Sequence, residues 1–206
     1  MSDNTIITIG RQYGSNGKEI GKRIAEKLNI AFYDKELLKR AAKESGMCEE
    51  VFHDFDEKPT NSFLYSLVMD PYAAFNFQAG TMEVPLNHKV FLAAFDTIKK
   101  IADQESCVIV GRCADYALEN YDNCLNVFIY SSMDERIKVI SERTGVKPEK
   151  AKDMIIKADK QRSSYYNYYT TKKWGATGSY DICINSDLLG IDGTVDLIIE
   201  ILNKKK

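Results

Sequence analysis

Thr5-Ile6-Ile7-Thr8-Ile9 is a short β-branched run closed by Gly10. It reads as a buried strand. Gly14-Ser15-Asn16-Gly17-Lys18 follows, and then Ile20, Ile24, Ala25 and Leu28 fall at helical spacing. The chain therefore opens strand, glycine-rich loop, helix, and that order restricts the folds open to everything downstream.

The alternation continues. Ile30 to Tyr33 predicts a second strand, ending at Asp34, and Glu36 to Ala42 a helix. Cys107-Val108-Ile109-Val110-Gly111 predicts a third strand and Leu125 to Tyr130 a fourth, with a helix from about Asp134 to Arg143 behind it. Tyr180 to Ile184 predicts a fifth, before a closing helix over Val195 to Leu202 with Asp192-Gly193-Thr194 near its start. Strands alternating with helices imply an α/β fold: a parallel sheet with helices on both faces. Residues 35–106 hold no convincing buried strand, so they read as a helical insertion, with Pro71, Gly80 and Pro85 among aromatics in the stretch Asp70 to Pro85. Tyr165 to Gly178, polar and aromatic, reads as a mobile flap over a site.

Composition removes several function classes. The 206 residues suit one domain with an inserted lobe, and 44% hydrophobic residues exclude a disordered chain. Lys+Arg 28 against Asp+Glu 30 leaves a net charge of -2, so no global basic field argues for nucleic acid. Five cysteines without a CxxC pair, and only His53 and His88, argue against a zinc site or disulfide framework. Buried, reduced thiols in a cytoplasmic protein are the expectation. Cys113, just past Arg112, is the one thiol set near cationic charge, although packing accounts for it equally. No apolar run approaches the ~20 residues that span a bilayer, so no membrane partner is expected. The acidic stretch Glu49 to Glu57 reads as a solvated helix face or hinge. Of twelve tyrosines, four lie in Tyr165-Tyr166-Asn167-Tyr168-Tyr169.

The glycine-rich loop carries the sharpest chemistry. Such a turn aims backbone N–H groups and the positive end of a helix dipole at one point, which favours phosphate. Gly14, Ser15, Asn16, Gly17, Lys18, Glu19 and Ile20 are its candidate contacts, with Lys18 as a point charge for the outer phosphates. Against the pattern GxxxxGK[ST], Gln12 takes the first glycine and Glu19 the hydroxyl position that normally binds Mg²⁺. Glu19 is thus the candidate metal ligand. Arg112 directly follows a buried strand, at the edge where open α/β sheets bind ligands.

The segment Ile7-Thr8-Ile9-Gly10-Arg11-Gln12-Tyr13-Gly14-Ser15-Asn16-Gly17-Lys18-Glu19-Ile20-Gly21 resembles the opening of the cytidylate kinase-like family. Phe32-Tyr33-Asp34-Lys35-Glu36-Leu37-Leu38, Val108 to Tyr116, and Ile184-Asn185-Ser186 before Leu189 to Asp192 extend the resemblance along nearly the whole chain. It implies a single three-layer P-loop kinase domain over residues 1–206, with a five-stranded parallel sheet, a monophosphate-binding insertion over 36–104 and a lid over 157–178. It also implies ATP and Mg²⁺ as cofactors, nucleoside triphosphate and monophosphate substrates, and leaves a homodimer open.

Position by position, Lys18 matches the phosphate-loop lysine. Asp34 and Arg40 match the aspartate and arginine of the motif D-S-G-x-x-Y-R, whose arginine holds the substrate phosphate. Arg112 matches the arginine of D-G-R, another substrate-phosphate ligand. Arg136 resembles an arginine near the adenine of ATP, and Arg162 a lid arginine that closes over the transferring phosphoryl group. On this reading Lys18, Arg112 and Arg162 are catalytic. Surface ion pairs remain an equal reading of Arg136 and Arg143. The chain departs from the pattern at Val110, where D-G-R has Asp, and at Lys35-Glu36, where the Asp34 motif has Ser-Gly. The expected function is ATP-dependent phosphoryl transfer to a nucleoside monophosphate, CMP or dCMP favoured. The alternatives are a same-fold kinase of another small acceptor, or a nucleotide-binding regulatory protein with little catalysis.

Overall fold

The structure, a computed structural model, describes residues 4–47, 57 and 86–205. Its strands are β1 Ile6–Arg11, β2 Ala31–Tyr33, β3 Cys107–Val110, β4 Cys124–Tyr130 and β5 Ile182–Asn185. All pairs are parallel, in the order β2-β3-β1-β4-β5. The helices are α1 Gly17–Leu28, α2 Lys35–Ser45, α3 Leu86–Gln104, α4 Ala114–Ala117, α5 Met133–Thr144, α6 Pro148–Tyr169 and α7 Ser186–Lys205. The expected insertion over 36–104 thus begins in α2 and ends in α3. Apart from Glu57, its residues 48–85, with Cys48, His53 and the stretch Asp70 to Pro85, lie outside the described residues.

Period-two geometry divides the apolar residues of the strands between two covered faces. Ile7 and Ile9 of β1, Val108 and Val110 of β3, and Val127 of β4 face one way and pack on Ile20 and Ile24 of α1 and Val195 and Ile198 of α7. Ile6, Cys107, Ile109 and Cys124 face the other way, onto Leu37 of α2 and Ile98 and Ile101 of α3. Each fully buried isoleucine contributes about 1.5–3 kcal/mol relative to exposure. The result is three layers with β1 at the centre. β1 pairs with β3 on one side and β4 on the other, so the chain order reverses there. The crevice at such a reversal, at the strand C-termini, is where these sheets take ligands.

Two segments differ from the sequence expectation. The closing helix begins earlier, at Ser186, and breaks at Gly190, whose φ of 64° and ψ of -170° interrupt it. The tyrosine stretch is helical and not irregular: Tyr165 to Tyr169 complete the 22-residue helix α6, and the irregular chain starts after Thr170. The physical reason is packing. Tyr165, Tyr166 and Tyr169 share a face at i, i+1 and i+4 and are buried with Phe91 of α3 and Phe128 of β4. Tyr169 stacks on Phe91 with ring centroids 4.1 Å apart, and its hydroxyl accepts a hydrogen bond from Asn87 Nδ2 at 3.1 Å. Tyr166 donates to Asp115 Oδ2 at 2.6 Å. Tyr169→Ala is expected to cost about 3–5 kcal/mol in chemical denaturation, the range for emptying a buried aromatic site, and Tyr169→Phe about 0.5–1.5 kcal/mol.

The cysteines described, Cys107, Cys113, Cys124 and Cys183, are all free. Burial, with Asp115 and Glu57 nearby, pushes the Cys113 thiol well up, so it is an inert packing group. Among the described residues no helix is long and apolar enough to cross a membrane.

Candidate active site

Backbone conformation shapes the loop after β1. Gly14 has φ +87°, and a Cβ there would lie 3.1 Å from both Cβ and the carbonyl oxygen of Arg136. Asn16 is left-handed at the N-cap of α1 and makes no side-chain cap bond. The first amides of α1 therefore have no side-chain partner at the N-cap, and a phosphate is the natural acceptor for them. Ser15 Oγ contacts the carbonyls of Gln12, at 2.9 Å, and Ile129, at 3.1 Å, which fastens the loop to β4. Ile20 sends its N–H to Asn16 O and its side chain into the core, so it does not face the cleft.

Lys18 and Asp34 meet across the cleft, Nζ to Oδ2 at 2.7 Å. The Lys18 side chain is 61% exposed and that of Asp34 8%. Asp34 also accepts from Arg112 Nη1 at 3.2 Å. Burial alone would raise the Asp34 carboxyl; the bond from Lys18 and the charges of Arg112 and Arg11 outweigh it and hold the group below its ordinary value. Asp34 is therefore ionised at neutral pH.

After β3 the chain makes an uncommon turn. Gly111, Arg112 and Cys113 take φ of 76°, 55° and 57° in succession. Two consecutive left-handed residues that are not glycine mark stored strain, which clusters at functional sites. The turn points the Arg112 N–H at Glu57 Oε1, 3.1 Å away.

Glu57 is the residue that sequence reasoning misplaced. Its side chain is only 12% exposed, not solvated, and Arg11 grips it with Nη1–Oε1 at 2.7 Å and Nη2–Oε2 at 3.1 Å. Arg162 of α6 adds Nε–Oε2 at 3.3 Å and donates Nη1 to the carbonyl of Arg11. Burial would raise the Glu57 carboxyl, but Arg11, Arg162 and Arg112 together hold it well below the ordinary carboxylate range. Burial, and then the like charge of Arg11, lowers Arg162 to about 10, partly offset by Glu57 and Asp159.

These groups line one cleft of about 670 Å³, together with Gly14, Asn16 and Gly17 of the loop. That volume suits a small-molecule site. Of the expected residues, Lys18, Asp34, Arg112 and Arg162 come together there. Arg40 lies elsewhere: it pairs with Glu44 and Glu105 and donates to Tyr33 Oη. Arg136 is buried and bound to Asp159, whose other oxygen accepts the Tyr13 N–H at 2.7 Å, so it braces the loop from behind. Arg143 lines the cleft instead, with its guanidinium 5.0 Å from the Tyr13 ring centroid. Glu19 is on the cleft rim and binds Arg23 Nε at 2.9 Å. Among the described residues no group of three or more His, Cys, Asp or Glu could hold a metal.

The sequence matches the cytidylate kinase-like family over residues 6–188. The chain belongs to that family. A cytidylate kinase from Archaeoglobus fulgidus is 23% identical over 211 residues, covering 97% of this chain and 96% of that one. An uncharacterized protein from Eubacterium ventriosum has a similar structure, with TM-score 0.73, 32% identity and coverage of 97% of this chain and 99% of the other. Shikimate kinase from Bacteroides thetaiotaomicron shares the fold, with TM-score 0.55 at 18% identity, covering 97% and 98% of the two chains. Family and fold together support kinase-type phosphoryl transfer.

Proposed function

We propose that this family member transfers the γ-phosphoryl group of ATP to a nucleoside monophosphate, with CMP or dCMP favoured. The observation that carries the reading is the convergence of Lys18, Arg112 and Arg162 on the mouth of the glycine-rich loop. Phosphoryl transfer gives a protein little covalent work: it must position the two substrates, offset charge and exclude water. The α1 amides and Lys18 would hold the donor phosphates. Arg162 of α6 lines the same cleft and would face the transferring group. A monophosphate attacks through an oxygen that is already ionised, so no general base is needed. For an acceptor that attacks through a hydroxyl, Asp34 would be the candidate base among the carboxylates lining the cleft.

The donor set fits Mg²⁺ through one or two carboxylates plus waters and phosphates, the usual arrangement for this ion. Asp34 and Glu19, the cleft carboxylates that are the ion-pair partner of Lys18 and its chain neighbour, would be the oxygen ligands. When bound there, Mg²⁺ would supply charge neutralisation between the outer phosphates.

A kinase of another small acceptor is the second reading. It is favoured by Arg40, which turns away from the cleft and so leaves the monophosphate without one expected ligand. An ADP-release assay with ATP and Mg²⁺ over the common nucleoside monophosphates tests the first reading, and turnover with CMP or dCMP is the expected result. Turnover with none of them overturns it. A metabolite screen then identifies the acceptor under the second reading. Tight nucleotide binding by calorimetry beside no transfer to any acceptor would point to a regulatory protein.

A further inference from the structure

Four donors surround the two oxygens of Glu57. Oε1 takes Arg11 Nη1 and the Arg112 N–H, and Oε2 takes Arg11 Nη2 and Arg162 Nε. Planar guanidinium forks and a backbone N–H raised by a left-handed turn are the means by which proteins hold phosphate. The enclosure is close. Gly111 has φ +76°, and a Cβ there would collide with Arg11 Nη1 and Glu57 Oε1. Side-chain exposures of 10% for Arg11, 12% for Glu57 and 18% for Arg162 place the cage out of bulk water, where such bonds are strongest. The cage opens onto the same cleft as Lys18 and the loop amides.

We infer that Glu57 is a built-in anion seated among Arg11, the Arg112 N–H and Arg162, where the proposed function places the acceptor's phosphate or carboxylate group, and that this group must outcompete it for those donors. The inference rests on the phosphotransferase reading only for which substrate enters here, and it holds for a monophosphate or for a carboxylic acid acceptor. A built-in carboxylate does two things in this position. It keeps the like-charged Arg11 and Arg162 guanidinium groups beside the Arg112 N–H before the acceptor arrives, so these donors are already aimed. It also sets a threshold, because a ligand must bind the cage better than Glu57 does, and weak monoanions fail. A dianionic phosphate brings twice the charge of the carboxylate to the same donors.

Inorganic phosphate is the probe, titrated by calorimetry into the full chain and into Glu57→Ala. Both carry Lys18→Ala, so that any binding at the glycine-rich loop is reduced equally in both. The expected result is phosphate affinity at least about tenfold tighter in the Glu57→Ala chain, with a melting temperature that is lowered in phosphate-free buffer and restored by phosphate. Adding Arg11→Met is expected to abolish the gain. Equal affinity with and without Glu57, or a gain that survives Arg11→Met, overturns the proposal. Glu57→Gln keeps the side-chain volume and covers a Glu57→Ala chain that does not fold: a smaller tightening supports the proposal and no change overturns it. Acetate in place of phosphate separates the two ligand sources, since a subsite for carboxylic acids tightens for both anions and a phosphate subsite for phosphate alone. Phosphate binding is read without turnover, so failure here and failure of the CMP assay are separate results.

Discussion

Replacing Lys18 by alanine is expected to lower turnover by at least about two orders of magnitude, because it removes a charge that neutralises the phosphoryl group in flight. The same change is expected to leave the fold nearly intact. The Lys18 side chain is 61% exposed, and its partner Asp34 keeps Arg112 when the ammonium is gone. With the ammonium in solvent and the buried carboxylate still paired to Arg112, the loss is expected to be about 1 kcal/mol. Turnover and thermal unfolding measured on one preparation separate the two effects. A rate equal to that of the wild type removes Lys18 from the mechanism. A rate that falls only as fast as the folded fraction assigns it a structural role.

The contrast between Lys18 and Arg11 shows which parts of the site the sequence could disclose. The sheet was legible because its central strands β1 and β3 are buried on both faces, so each appears as a β-branched run closed by a glycine. Lys18 was legible because a local pattern ties it to the loop, and Arg112 because it directly follows such a run. Arg11 meets the same positional test, since it ends β1 as Arg112 follows β3. Its guanidinium now proves to be as much a part of the cleft as that of Arg112.

Glu57 and Arg40 fail for a different reason. The burial of Glu57 depends on three arginines at sequence separations of 46, 55 and 105, from 57 − 11, 112 − 57 and 162 − 57, and no local pattern carries such information. An acidic residue in an acidic stretch looks solvated until its partners are placed. Arg40 is a fair match by spacing from Asp34, yet α2 is an ordinary helix after Lys35, and a position six residues on from Asp34 faces Glu105 and Gln104 at the end of α3. Motif spacing carries over only when the backbone between the motif residues keeps its shape, and here Lys35-Glu36 replaces Ser-Gly at the turn. The tyrosines show the reverse case. Their i, i+4 spacing held the answer, but polar neighbours such as Ser163, Ser164 and Asn167 masked the buried face of α6.

Arg11→Met is expected to be the most destabilising single change in the site. The Arg11 side chain is 10% exposed, and its stem lies under the first turn of α1, where a Cβ on Gly17 would sit 2.6 Å from Arg11 Cβ. Removing one partner of a buried ion pair strands the other, which costs about 3–5 kcal/mol. Arg162 and the Arg112 N–H still face Glu57, so about 3 kcal/mol is the expectation, or roughly 6–12 °C in melting temperature for a chain of this length. Arg11→Lys keeps the charge but loses the two-pronged grip, and is expected to fall between. The deficit depends on pH in a defined direction. The folded Glu57 carboxyl is held below its unfolded value of 4.5. Its contribution is therefore complete above that value and is lost as pH falls towards the folded value. Without Arg11 the folded value moves back up, so wild type and variant converge as the pH drops below 4.5. Thermal unfolding of both chains from neutral to acid pH checks this: equal stability at neutral pH, or a gap that stays constant into acid, shows that the guanidinium does not hold Glu57 in the folded protein.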